Sequence, residues 1–199
     1  MLARAFSPLQ RVGAAYASVS TERPHAVAGL TASGIISSAD VTCQLLFQRD
    51  AAKGLDWQRT LSLTAFAAWH YGAPAKYLYL TYDKVLGRTA YSASAAAALK
   101  MGFDVYVHSP LLLVPSFYLI TGTVKGQTLA QTLAQLRNEW LEASFGTAVF
   151  WTPLCYLNFR LVPQHSRILF VSVGSFLHKT WLSHLSNRAR HRERAIGSV

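Results

Sequence analysis

Residues 26–47, AVAGLTASGIISSADVTCQLLF, form an apolar run that carries a single charge, Asp40. A transmembrane helix needs about 20 predominantly apolar residues, so this run is long enough to cross a bilayer. Small residues recur four positions apart, which lets a second helix approach closely. These pairs are Ala28/Ala32, Ser33/Ser37 and Gly34/Ser38. The run therefore predicts a membrane helix packed tightly against a neighbour.

Four further apolar runs follow along the chain, and prolines interrupt most of them. A proline inside a helix predicts a kink and a freed backbone carbonyl. The sequence therefore predicts an all-α, multi-pass membrane helix bundle with about four transmembrane helices, kinked at prolines, plus one tilted or re-entrant segment. The runs are 60–82 with Gly72 and Pro74, 103–124 with Pro110 and Pro115, 145–162 with Pro153, and 167–185.

Residues 127–144 have a different pattern, which predicts an amphipathic interfacial helix outside the hydrocarbon. Polar and charged side chains fill most of the segment, and its large apolar side chains recur at helical spacing. Those apolar side chains are Leu129, Leu133, Leu136 and Trp140. The Ala- and Ser-rich linker 86–100 is assigned to no layer of the bundle.

The composition favours membrane lipid over nucleic acid as the partner of a basic chain. Hydrophobic residues make up 51% of the sequence, charged residues only 14%, and the net charge is +10. The basic residues are spread between apolar runs and do not alternate with aromatic residues, which argues against a nucleic-acid interface. Each basic residue near an anionic membrane surface contributes about 1 kcal/mol. Cardiolipin-rich membrane fits this charge.

We divide the chain into a basic N-terminal segment, 1–23, a membrane helical domain, 24–186, and a basic C-terminal tail, 187–199. The first segment carries three arginines with no acid before Glu22, which is typical of mitochondrial targeting; an ordinary basic N-terminus is the alternative. Three interpretations stay open for the tail: contact with anionic lipid, a solvated signal that only sets topology, or docking onto an acidic partner subunit. Its arginines are Arg188, Arg190, Arg192 and Arg194.

We expect no catalysis, no cofactor and no metal site. The histidines are scattered, with no metal-binding pair on one helix and no partnering acid. Cys43 and Cys155 lie in apolar segments and are expected to be small buried side chains. No nucleophile elbow or glycine-rich phosphate loop is present in the sequence.

The polar residues inside the apolar runs are the candidate functional residues. An ionised Asp40 at mid-bilayer would cost roughly 2.5–3.5 kcal/mol, so it is expected to face protein or water, with Gln44 one turn on. Two interpretations stay open for this set, a polar pathway or a buried interhelical anchor in which Asp40 pairs with an arginine. The set is Asp40, Gln44, Asp104, Asn158 and Arg160.

The order and spacing of these residues resemble the Mpv-seventeen and twenty-two-kilodalton peroxisomal membrane protein family, over nearly the whole chain. The matching positions are Tyr16 and Pro24; Gly34, Asp40 and Gln44; Asp56 and Arg59; Gly72, Pro74 and Tyr79; Asp104 and Pro110; Pro153, Asn158, Phe159, Val162, Pro163 and Arg167; and the ending His178–Ser183. The sequence departs from the family pattern at Val105, His178 and Lys179 and in the split Trp151-Thr152-Pro153, as a divergent member would.

The resemblance implies a non-enzymatic protein of the mitochondrial inner membrane, with the peroxisomal membrane as the alternative location. It also implies a channel or permeability factor. Because the family pattern begins near Val12, any targeting information is expected to be retained in the mature chain. The departures at the chain's end keep a second function open, that of a structural accessory subunit in a larger inner-membrane assembly such as a respiratory complex or ATP synthase. Other inner-membrane subunits would then be partners.

Overall fold

The computed structural model describes residues 2–47, 54–87 and 90–178, which are helical almost throughout and contain no strand. The helices are α1 (Leu2–Glu22), α2 (Pro24–Phe47), α3 (Trp57–Gly72), α4 (Pro74–Leu86), α5 (Ala93–Phe103), α6 (Val114–Val124) and α7 (Leu129–Leu161). A π-helical segment (Asp104–Leu113) joins α5 to α6, and a 3₁₀ turn (Gln164–Ser166) leads into α8, residues 167–178. The all-α prediction is confirmed for these ranges. The basic tail with its four arginines lies outside them.

Helices α2 and α3 form the most extensive helix pair, and small residues make it possible. Ala28 and Ala32 are buried, and the Ser37 hydroxyl lies 2.6 Å from the Thr64 hydroxyl. The pair Gly34/Ser38 behaves differently from the prediction, since Ser38 is exposed and a Cβ on Gly34 would meet nothing within 4 Å. The close approach of α2 to α3 occurs at Gly29 instead.

Helix α1 packs along α2 and also contacts the 3₁₀ turn that precedes α8. The Tyr16 hydroxyl lies 3.4 Å from the Thr31 hydroxyl, and Ser20 donates to the carbonyl of His165 at 3.0 Å. The segment predicted to carry targeting information is therefore a helix docked on the bundle.

The predicted interruption of the second apolar run is a break between two helices. Ala73 has the non-helical dihedrals φ −118° and ψ −84°, and Pro74 is the first residue of α4. A proline is well tolerated there, because the first turn of a helix leaves its N–H groups unpaired in any case. The break lets α4 change direction relative to α3.

Residues 93–124 form one continuous helical rod, which includes part of the linker that had been assigned to no layer. Ser92 caps its start by accepting from Ala95 N at 3.2 Å. Pro110 lies in the π-helical segment, where the wider turn accommodates a residue without an N–H. The hydroxyl of Ser109 donates to the Asp104 carbonyl at 2.9 Å.

The amphipathic segment and the fourth apolar run form a single helix, α7, so their predicted separation is wrong. A capping box formed by Thr128 and Gln131 starts this helix of 33 residues, and Pro153 lies inside it. The Trp140 indole donates to the Pro110 carbonyl at 2.8 Å, which ties the amphipathic half to the π-helical segment. This half packs on the bundle through that contact.

Two continuous helices in the described ranges are long and apolar enough to cross a membrane. They are Pro24–Phe47 and Ala93–Val124, with 24 and 32 residues. At 1.5 Å per residue these are roughly 36 and 48 Å long, against about 30 Å of hydrocarbon. Near one end of the bundle, Asp83 of α4 binds Lys100 of α5 and Arg167 of α8 and so joins three helices.

Candidate functional site

A cavity of about 220 Å³ lies among α2, α3, α4, the π-helical segment, α7 and α8. Its wall is mostly apolar, with a few polar groups that converge on it. A wider apolar groove of about 1000 Å³ adjoins it, and the two share Phe117, Trp151 and His178. The polar side chains of the cavity include His70, Tyr79, Asp104, His108, Cys155 and Ser175.

Asp104 is the acidic centre of this cavity. Its Oδ1 lies 2.9 Å from Nδ1 of His108, one turn on along the π-helical segment. Its Oδ2 accepts from the Tyr79 hydroxyl at 3.2 Å and lies 3.7 Å from Sγ of Cys155. A carboxylate from one helix, a phenol from α4 and a thiol from α7 are thus gathered at one point. The expectation that no acid partners a histidine is wrong here, because it considered metal-binding pairs and not this carboxylate–imidazole pair.

His70 stacks on both sides with other rings. Its centroid is 5.1 Å from that of His108 and 5.2 Å from that of Phe66. It is fully buried, yet neither of its ring nitrogens has a hydrogen-bond partner in the described part of the chain, and the same holds for Nε2 of His108. A buried polar atom without a partner costs about 1–3 kcal/mol, and ordered water in a polar cavity removes that cost. The cavity volume accommodates several water molecules.

Asn158 and Arg160 are separated although they are two positions apart. Asn158 is fully buried on α7, and neither atom of its amide has a hydrogen-bond partner among residues 2–47, 54–87 and 90–178. Arg160 is exposed and its Nε donates to the Ser94 hydroxyl at 3.3 Å. Neither residue lines the cavity.

Asp40 and Gln44 belong to a second polar cluster, between α2 and α3. Oδ1 of Asp40 accepts from Nε of Arg59 at 2.9 Å and lies 2.8 Å from its Nη2. Oδ2 accepts from Thr60 at 2.7 Å and from Gln44 at 2.8 Å. The side-chain Oε1 of Gln44 in turn accepts from the backbone N–H of Asp56 at 2.6 Å. Both carboxylate oxygens are thus occupied by protein donors, and the cluster does not line the cavity.

The sequence pattern did not predict that His70, Tyr79 and Cys155 line a cavity with Asp104. Each is separated from Asp104 by at least 25 positions, and no local spacing connects them. The pair Asp104/His108 does have helical spacing and lies next to Pro110, which was the available signal. Among the described residues, no group of three or more His, Cys, Asp or Glu side chains is placed to hold a metal ion.

Apolar helices of spanning length, a proline-broken helix pair and buried polar groups between helices define a helical membrane protein. The chain is similar to the Mpv17 / PMP22 family, whose model matches residues 122–183, and is consistent with a divergent member of it. It is 27% identical to the mitochondrial inner membrane protein Mpv17 of Danio rerio, over 87% of this chain and 96% of that protein. It is 21% identical to Protein SYM1 of Saccharomyces cerevisiae, over 86% of this chain and 88% of that protein.

The names of the two Mpv17 relatives agree on location. The Mpv17 protein of Xenopus laevis, also named a mitochondrial inner membrane protein, is 23% identical over 88% of this chain and 97% of its own length. The predicted location in the mitochondrial inner membrane is thereby confirmed. No solved structure matches the chain.

Proposed function

We propose that this chain is a non-enzymatic channel or permeability factor of the mitochondrial inner membrane, and that the Asp104 cavity is part of its polar route. The observation that carries the proposal is the set of buried ring nitrogens of His70 and His108 beside that cavity, which have no hydrogen-bond partner among the described residues. Burying His70 and His108 in this way is costly in a sealed apolar core. It is favourable when water or a polar solute passes between the helices.

The arrangement of helices supports such a route. In this proposal four segments cross the membrane: α2, the broken pair α3–α4, the rod 93–124 and the apolar half of α7, with α8 as the tilted or re-entrant segment. The cavity lies among all of these segments, as a solute-binding position between membrane helices does. Asp104 gives it a negative charge, which favours small polar or cationic solutes over anions.

Flux measurements on the purified chain in liposomes test the role of Asp104. Asp104→Asn keeps the size of the side chain and removes the charge, so we expect several-fold lower solute flux. Glu142→Gln is the matched control, because it removes one exposed carboxylate from α7, outside the cavity, and flux should be unchanged. Equal flux in wild type and Asp104→Asn would remove this cavity from the route.

The two native cysteines allow a second test without mutation. Cys155 lines the cavity and Cys43 does not, although the exposed fractions of both are small, 3% and 0%. A small, charged methanethiosulfonate reagent should therefore modify Cys155 faster than Cys43 in the folded protein. Equal protection of both thiols would contradict a water-filled route. Mass spectrometry of the digested protein gives the two rates.

The oligomeric state separates this proposal from the accessory-subunit alternative. After mild detergent extraction, a channel should migrate as a small free oligomer. Co-migration with a respiratory complex or ATP synthase would contradict the proposal and favour the alternative. A native gel of the extract, immunoblotted for this chain and for the complex, shows whether the chain migrates alone or with the complex.

A further inference from the structure

A second polar group, which we call the basic cluster, lies at the junction of α4, α5 and α8 and does not line the cavity. It consists of Lys76, Asp83, Lys100 and Arg167. Asp83 accepts from Nζ of Lys100 through Oδ1 and from Nη1 of Arg167 through Oδ2, the latter at 2.7 Å. Lys76 lies seven positions before Asp83, on the same face of α4.

The charges of the basic cluster do not balance. Asp83 bonds Lys100 and Arg167, and Lys76 bonds neither of its oxygens. Among the described residues of this cluster, three cations surround one acid, which leaves a formal excess of two positive charges. Lys76, Lys100 and Arg167 are 2%, 8% and 7% exposed, so bulk water screens this excess poorly.

Lys76 is the unpaired member of the cluster. It forms no hydrogen bond or ion pair with another residue in the described ranges. The charges that act on it are repulsion from Arg167 and attraction from Asp83. The side chain of Lys76 is 2% exposed, and its ammonium group lies at that small exposed surface and not among the fully buried polar atoms. Lys76 thus has no directly bonded counter-ion among the described residues.

The guanidinium group of Arg167 is oriented by contacts within the chain, which leave its Nη2 for a second partner. Its Nε donates to the Val162 carbonyl at 3.2 Å, and the guanidinium carbon lies 5.4 Å from the centroid of the Phe159 ring. With Nη1 on Asp83, the plane of the guanidinium is fixed, and Nη2 has no protein partner within the described chain. A fixed guanidinium fork is suited to phosphate oxygens.

We propose that the basic cluster binds a phosphate-bearing anion, with the Lys76 ammonium and Nη2 of Arg167 as its donors. Inorganic phosphate or a phosphate monoester carries about −1.5 to −2 charges at neutral pH, which matches the excess of two positive charges. Each phosphodiester of a phospholipid headgroup carries one negative charge and offsets half of that excess. The side chain of Asp83 is 26% exposed, so the cluster opens to the surface beside it. The anion comes either from the headgroup of an acidic phospholipid or from phosphate in solution.

Melting of the detergent-solubilised full chain tests the proposal with two probes. One is inorganic phosphate against chloride at equal ionic strength, and the other is cardiolipin against phosphatidylcholine in mixed micelles. A ligand that binds only the folded state raises the melting temperature. We expect the melting temperature of the wild type to rise with at least one probe. A rise with cardiolipin alone identifies a lipid headgroup as the ligand, and a rise with phosphate alone identifies a soluble anion. A rise with each probe indicates a site that binds either.

Lys76→Met should raise the half-saturating concentration of the active probe by about tenfold or more, because one charge-assisted hydrogen bond is lost. Lys76→Arg keeps the charge and should retain the effect. Lys84→Met is the matched control, an exposed lysine on the same helix. Without any anion, Lys76→Met should melt at or above the wild-type temperature, since it removes a charge that Arg167 repels and that bonds no described residue.

Three results overturn the proposal. Wild type could show no shift with either probe, or Lys76→Met could show the wild-type shift. A lower anion-free melting temperature of Lys76→Met would mean that a partner within the chain already neutralises Lys76.

Discussion

Gly29 of α2 and Gly72 of α3 lie back to back, so that a Cβ on Gly72 would stand 3.1 Å from Cα of Gly29. A Cβ on Gly29 would stand 3.0 Å from the carbonyl oxygen of Ala68. Both neighbours are backbone atoms, which cannot turn aside as a side chain can. Nδ1 of His25 lies 2.7 Å from the Gly72 carbonyl, which would otherwise lack a partner at the end of α3. The two helices are thus in contact through their main chains.

We expect Gly29→Val to destabilise the protein by about 1–3 kcal/mol, because the branched side chain must push α3 away. Gly34→Val is the matched control on the same helix, since a Cβ there meets nothing within 4 Å. Its effect should stay within about 0.5 kcal/mol. Thermal melting in detergent measures both, and equal losses would contradict main-chain contact at Gly29.

The Asp40–Arg59 pair predicts a non-additive pair of substitutions. Arg59→Leu removes the Arg59 guanidinium from the fully buried Asp40 carboxylate and should cost about 2–4 kcal/mol, somewhat less than breaking a wholly buried pair because Arg59 is 30% exposed. The double variant Asp40→Leu, Arg59→Leu should recover part of that loss. Additive losses in the melting temperatures of the three variants would show that the two charges are not coupled.

Asp40→Leu alone separates insertion from packing. The substitution makes α2 more apolar, so the protein should remain in the membrane pellet after alkaline carbonate extraction. It also leaves Arg59, Thr60 and Gln44 without their common acceptor, so stability should fall by about 1–3 kcal/mol. Unchanged melting would show that the Asp40 cluster does not hold α2 to α3.

His70→Phe should make the protein more stable and less permeable. The new ring preserves stacking with Phe66 and His108 and removes two buried nitrogens that have no partner in the described chain. We expect a gain of about 1 kcal/mol and a lower flux in liposomes, because the cavity loses polar groups that hold water. A loss of stability would show that these nitrogens are already bonded in the native protein.

The helices could be predicted from the sequence because apolar runs and prolines act locally. The break at Ala73–Pro74 and the burial of Ala28 and Ala32 both follow from neighbours in sequence. The split of α7 was wrong because polarity changes near Ser144, whereas helix continuity depends on backbone hydrogen bonds, and nothing there breaks them. The sequence indicated the change of environment but not a change of structure.

The candidate site was only partly predictable, because its members meet through tertiary packing. Asp104 was selected from its position in an apolar run. Its contacts with Tyr79 and Cys155 depend on how α4 and α7 cross the π-helical segment, and no sequence pattern specifies that crossing. Gly29 was not predicted as a contact, although it continues the four-residue spacing of Ser33 and Ser37.

Helix α4 begins directly after the break at Ala73 and carries two residues that contact different sites. Tyr79 reaches the acid of the cavity, and Asp83, one turn further, holds the basic cluster together. Both contacts are made by one continuous helix. An anion bound as proposed at the basic cluster would therefore also restrain Tyr79 relative to Asp104, so that occupancy of one site would limit the motion of the other.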